Sequence, residues 1–189
     1  MSSRMLRSVM FAALFFTVIT PVFSAEPPRD LSIPLPQDLK ALSKIRILVQ
    51  RDKPQVKVST VASFEVFDDQ GRPVTRGAKL AGATVKPAGQ GIQWWSQMVP
   101  TRFLVVKSMG NGIRVGASGV YRDEVLIYRN SEGSLDVINR LKLDDYLKGV
   151  IPFEGNPNWA LESLKAQTVV SRTFVFTKML ARRNEEYDV

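Results

Sequence analysis

Cysteine and histidine are both absent from the 189 residues. Without cysteine no disulfide can form, so the fold must rest on its core. A thiol nucleophile activated by histidine and a Ser-His-Asp triad are both excluded. A structural zinc site built on Cys or His is excluded with them, and no other residue pattern calls for a metal or a cofactor. Proton transfer at neutral pH then falls to Glu, Asp, Lys or Tyr. One well-placed carboxylate therefore matters more than usual. The chain also lacks an arginine-rich block of the kind that tracks phosphate backbones, so nucleic acid is not an expected partner.

With 44% hydrophobic residues the chain can bury a core. Its length suits one globular domain, with room for a small second lobe. Arg4 and Arg7 precede the apolar run VMFAALFFTVIT, and small residues follow in VFSA. This is the pattern of a secretory signal peptide over residues 1–25, cleaved after Ser24 or Ala25. The run is short for a membrane span; an uncleaved segment would instead anchor the chain to the membrane. The formal net charge is +8, and losing Arg4 and Arg7 leaves 24 basic against 18 acidic residues, a net +6. An exported basic protein is expected near an anionic polymer or surface: periplasm, cell wall or extracellular space.

Residues 26–44 are proline-rich and read as an extended linker. From Ile45 the pattern becomes short, β-branched and partly alternating: IRILVQ, QVKVST, FEVFD, AKLAGATVK, GIQWW, RFLVVKS, IRVGAS, EVLIYRN and SLDVINRL. DDQGRP and SEGS read as turns and MGNG as a hairpin-type turn. Residues 45–140 are expected to form a β-rich meander. Beyond Pro157 the run to about Glu186 holds good helix formers and no further Gly or Pro. Asn156 is a natural N-cap with Pro157 at the first helical position. The expected class is α+β: strands first, then one long, largely buried helix. Lys165, Thr168 and Arg172 share a face of that helix, with Glu162 a turn earlier. That face reads either as solvated, with an exposed Glu-Lys pair, or as the basic wall of a cleft.

LDDYL (143–147), GVIP (149–152), Glu154, Trp159, LKAQ (164–167) and RTF (172–174) follow one another in order. This run resembles the signature of the SpoIID/LytB domain family, which includes stage II sporulation protein D and the amidase enhancers. VYRDEVLIY upstream resembles the strand that precedes it. The domain is expected over residues 45–189, and the resemblance implies further segments beyond EEYDV. Two departures stand out: Glu154-Gly155-Asn156 replaces the usual Glu-Met-Pro, and Asp123 stands where the family often has Gly. Gly155 is expected to loosen the loop that aims Glu154.

The resemblance implies a peptidoglycan lytic transglycosylase acting on glycan strands stripped of stem peptides and leaving 1,6-anhydro-muramic ends. An N-acetylmuramoyl-L-alanine amidase is the implied partner. Glu154 would be the single general acid and base, within apolar surroundings from Ile151, Pro152, Phe153 and Trp159 that raise its pKa. A carboxylate just ahead of a helix, favoured by the dipole, is the plainer reading of the same residue. Trp159 reads as a core anchor. Lys165, Gln167 and Arg172 are implied to face the glycan or orient Glu154, and Tyr121 and Arg122 to border the cleft. Asp144 and Asp145 read as a cap or turn. A non-catalytic peptidoglycan-binding amidase enhancer is the alternative function, and a cationic envelope scaffold a third.

Overall fold

Short β-branched and apolar segments, several of them alternating, form most of the twelve strands in the computed structural model, which describes residues 43–189 apart from positions 111 and 157. The expected signal segment, nearly all of the proline-rich linker and Pro157 lie outside the described residues. In chain order the strands are β1 (Lys44–Lys53), β2 (Val56–Thr60), β3 (Phe64–Phe67), β4 (Pro73–Gly77), β5 (Leu80–Ala88), β6 (Gly91–Trp94) and β7 (Gln97–Val99). They continue as β8 (Phe103–Ser108), β9 (Ile113–Val115), β10 (Gly119–Tyr121), β11 (Glu124–Arg129) and β12 (Leu135–Lys142). Two helices follow, α1 (Leu143–Glu154) and α2 (Leu161–Ala181). The class is mixed α and β, as expected.

The strands do not form a meander. One sheet runs β1-β12-β11-β8-β3-β4 and the other β10-β9-β2-β5-β6-β7. The chain passes repeatedly from one sheet to the other, so most sequence neighbours do not pair. Alternation reports which face a residue takes; it carries no information about which strand lies alongside. MGNG is therefore no hairpin: it carries the chain from β8 in the first sheet to β9 in the second. Gly112 within it has φ +94°, and a Cβ there would stand 2.8 Å from the Tyr121 carbonyl oxygen. Asp123, at φ 65°, takes a left-handed conformation that Asp tolerates and Gly takes freely.

The two sheets share one core, with Val58 and Val85 from the second meeting Leu104, Val125, Ile127 and Val137 from the first. On the other face of the first sheet, register aligns Leu48, Ile138, Leu126, Val105 and Phe67 in one row across five strands. One row along lie Arg46, Arg140, Glu124, Lys107, Glu65 and Arg76. In that row Glu124 is buried and accepts from Arg140 Nε at 2.6 Å and from Lys44 Nζ at 3.0 Å. Beyond α2 the chain returns to the free edge of β1. There Asp188 N–H donates to the Arg46 carbonyl and Leu48 N–H to the Val189 carbonyl, each at 2.8 Å.

The helical part differs from expectation. GVIP lies inside α1, a helix that the expectation of one long helix did not include. Leu143, Tyr146, Leu147, Val150 and Ile151 follow the i, i+3, i+4, i+7, i+8 spacing of one helix face. α2 starts at Leu161 with Ala160 at the cap position. Asn156 instead closes a turn, its side-chain oxygen accepting from Asn158 N–H at 2.9 Å. Nor is α2 largely buried. Ser171, Val175 and Met179 are its buried residues, and the last two pack on Ile45 of β1 and Leu141 of β12. Val169, Val170 and Phe174 are exposed.

Candidate functional site

α1 and α2 dock where β1 and β12 present Ile45 and Leu141. Asp144 and Asp145 occupy the first turn of α1, where the positive end of the helix dipole favours them. Lys148 holds Asp145 below the usual carboxylate range through a 3.0 Å hydrogen bond and its charge, with smaller pulls from Lys142 and Arg122.

Glu154 is the last residue of α1 and is exposed. It does not sit just ahead of α2, so the helix-start reading fails: the negative end of the α1 dipole disfavours a carboxylate at this position. Its Oε2 accepts from Ser171 Oγ at 3.1 Å, and Ser171 Oγ in turn accepts from Gln167 Nε2 at 3.4 Å. Ser171 is buried on α2, so a fixed donor reaches out to a solvent-facing acid. Tyr146, about two turns earlier on α1, has its phenol pushed above the ordinary value by burial and by the Glu154 charge.

The apolar surroundings anticipated for Glu154 are not closed by the protein. Ile151 is half-buried, while Pro152, Phe153 and Trp159 are exposed. Trp159 is thus no core anchor. Gly155 adopts φ −119°, ψ 168°, an extended conformation open to any residue, so no glycine-only flexibility arises there. What glycine provides is space: a Cβ on Gly155 would stand 3.2 Å from the Trp159 ring.

A groove of about 440 Å³ runs between the helices, lined by Asp144, Leu147, Lys148, Ile151, Pro152, Thr168 and Arg172. Arg172 Nη2 crosses it to Asp144 Oδ1 at 2.8 Å. Of the residues singled out in the sequence, Gln167 therefore joins Glu154 through Ser171, and Arg172 faces the neighbouring groove. Lys165 pairs with Glu162 at 2.8 Å on the exposed side, as a solvated Glu-Lys pair would. Tyr121 ends β10 half-buried against the sheet core, and burial pushes its phenol up. Arg122 is exposed, with its carbonyl fixed by Asn139 Nδ2 at 2.8 Å. Ser171 and Tyr146 were not singled out in the sequence. Each lies in the signature run, and Ser171 stands four residues, one helical turn, beyond Gln167.

Residues 131–189 match the SpoIID family, described as stage II sporulation protein. The matched part runs from the turn before β12 through both helices to Val189. A protein of Brachyspira hyodysenteriae is 31% identical over 93 residues, 39% of this chain and 25% of its own length. One of Chlamydia muridarum is 25% identical over 150 residues, covering 78% of this chain and 51% of the relative. One of Chlamydia pneumoniae is 22% identical over 187 residues, covering 97% and 66%. All three are described as uncharacterized, and the chain spans less than two thirds of the length of each. No solved structure matches the chain.

Proposed function

We propose that this is an exported cell-wall protein that cleaves peptidoglycan glycan strands by lytic transglycosylation, with Glu154 as its single acid and base. The SpoIID match supports a role connected with the cell wall. The observation that carries the catalytic reading is the placement of Glu154. It is an exposed carboxylate at the unfavourable end of α1, held by a buried hydroxyl of α2. A residue kept where helix electrostatics disfavours it calls for a reason outside helix stability.

In the proposed reaction the protonated Glu154 carboxyl gives its proton to the glycosidic oxygen as the bond from the muramic C1 breaks. The carboxylate so formed takes the proton of the muramic C6 hydroxyl, whose oxygen closes on C1. No water is consumed, and the proton count returns to its start. One carboxylate suffices because the nucleophile belongs to the sugar itself, whereas hydrolysis needs a pair of carboxylates. In this account the bound strand covers the exposed Pro152, Phe153 and Trp159 and completes the dry environment that acid catalysis needs. Arg172 and Gln167 line the approach and Tyr121 and Arg122 its outer border.

A second reading has support in the same exposure. An open Glu154 beside an open Phe153 would also suit a non-catalytic glycan-binding protein that assists an amidase. Incubation with glycan strands freed of stem peptides separates the two: the enzyme releases 1,6-anhydro ends that Glu154→Gln does not. Binding without release by either protein supports the second reading.

A further inference from the structure

Phe153, in the last turn of α1, and Trp159, just ahead of α2, offer more than shelter to Glu154. Phe153 is 91% exposed and Trp159 48% exposed, and they flank Glu154 in the chain. Large rings left in water at this level are costly unless something covers them. The backbone of Trp159 is fixed, its main-chain N–H donating to the Asn156 carbonyl at 3.0 Å, and its ring lies on the space that Gly155 leaves without a Cβ. Between Phe153 and Trp159 in the chain lie Asn156 and Asn158, both exposed.

We propose that Phe153 and Trp159 are stacking surfaces for sugar rings, flanking Glu154, with Asn156 and Asn158 hydrogen-bonding the hydroxyl edges. The inference rests on the glycan-strand reading of the same site and names its subsite. A pyranose presents an apolar C–H face and a polar rim, which is the pairing that an aromatic ring with neighbouring planar amides offers. Charge decides against an anionic lipid surface as the occupant. Residues 149–164 contain Glu154 and Glu162 and no Lys or Arg, whereas surface-binding segments carry cations around their aromatic residues. The Gly155 departure gains a role here: it gives the indole its seat.

The test is binding of peptide-stripped glycan strands to the full chain, followed by calorimetry and tryptophan fluorescence. The variants are Glu154→Gln, Phe153→Ala, Trp159→Ala, Trp159→Phe and Gly155→Leu. Each further variant is also made in the Glu154→Gln background, where binding is read apart from cleavage. Phe153→Ala and Trp159→Ala should each weaken binding by roughly tenfold, on the order of what one aromatic contact is worth. Trp159→Phe should keep most of the affinity. Gly155→Leu keeps the ring but pushes it off its seat, and should weaken binding with no loss of melting temperature.

Binding within about twofold of wild type in both alanine variants overturns the proposal, as does capture by anionic vesicles with no glycan binding. Glycan binding lost in Trp159→Ala, with no anhydro ends from the wild type, sinks the catalytic reading and leaves the stacking surface standing.

Discussion

Replacing Glu124 by Gln tests how the helical site is held on the sheet. Glu124 opens β11 and gathers Arg140 at 2.5 Å, Lys44 at 3.0 Å and Lys107 at 3.5 Å. Arg140 lies near the end of β12, three residues before α1, and Lys44 begins β1, so this carboxylate ties together the two strands on which the helices dock. Removing one partner of a fully buried ion pair costs about 3–5 kcal/mol. Here the Glu124 side chain is 8% exposed, but Lys44 and Arg140 are 31% and 33% exposed and regain water when it is lost. The expected cost is therefore about 2–3 kcal/mol.

In urea, with a slope of about 2 kcal/mol/M, the midpoint should fall by roughly 1 M at unchanged slope. The sign of the pH effect follows from the same contacts. Burial alone would push the Glu124 carboxyl up, but the hydrogen bonds and charges of Lys44 and Arg140 overcome it and hold it below its ordinary 4.5. Its contribution is thus full above pH 4.5 and is lost as pH falls through the lower folded value. The Gln variant should lose that part of the acid dependence. A cost under about 0.5 kcal/mol, the level expected of the exposed Asp145–Lys148 pair, would refute the reasoning.

Three further outcomes follow from the site. Met179→Ala opens a cavity between α2 and the sheet, where Met179 is 2% exposed; thermal unfolding should show a loss of about 2–5 kcal/mol. Arg172→Ala breaks a pair whose side chains are 52% and 65% exposed, so stability should change by less than about 1 kcal/mol. A large loss of cleavage at unchanged melting temperature would then place Arg172 on the substrate. Ser171→Ala removes the donor to Glu154. Cleavage should fall about fivefold, the worth of roughly 1 kcal/mol from a bond to a solvent-facing acid, and Ser171→Thr should restore it.

Much of this was legible in the sequence. Alternation in QVKVST and FEVFD and the β-branched run RFLVVKS located strands, and the signature run contains Glu154 together with the Ser171 and Gln167 that reach it. β4 escaped notice because PVTRG is an edge strand with no buried residue that opens with Pro and has no apolar alternation. α1 escaped because Gly149 and Pro152 look like helix breakers. Pro152 falls in the last turn of α1, while the apolar spacing from Leu143 to Ile151 is helical. The burial of α2 was overestimated for a related reason. Its residues are apolar on most sides, and composition does not say which side meets the sheet. The contact of Ser171 with Glu154 joins residues 17 positions apart on two helices, and their crossing is set by packing on Ile45 and Leu141, beyond the reach of local pattern.

The central claim is that Glu154 transfers the proton in glycan cleavage. Mass spectrometry of peptide-stripped glycan strands after incubation with the protein tests it most directly, with Glu154→Gln alongside. The account predicts 1,6-anhydro-muramic ends from the wild type and none from the variant. Equal release by both proteins, or hydrolysed reducing ends in place of anhydro ends, would contradict it.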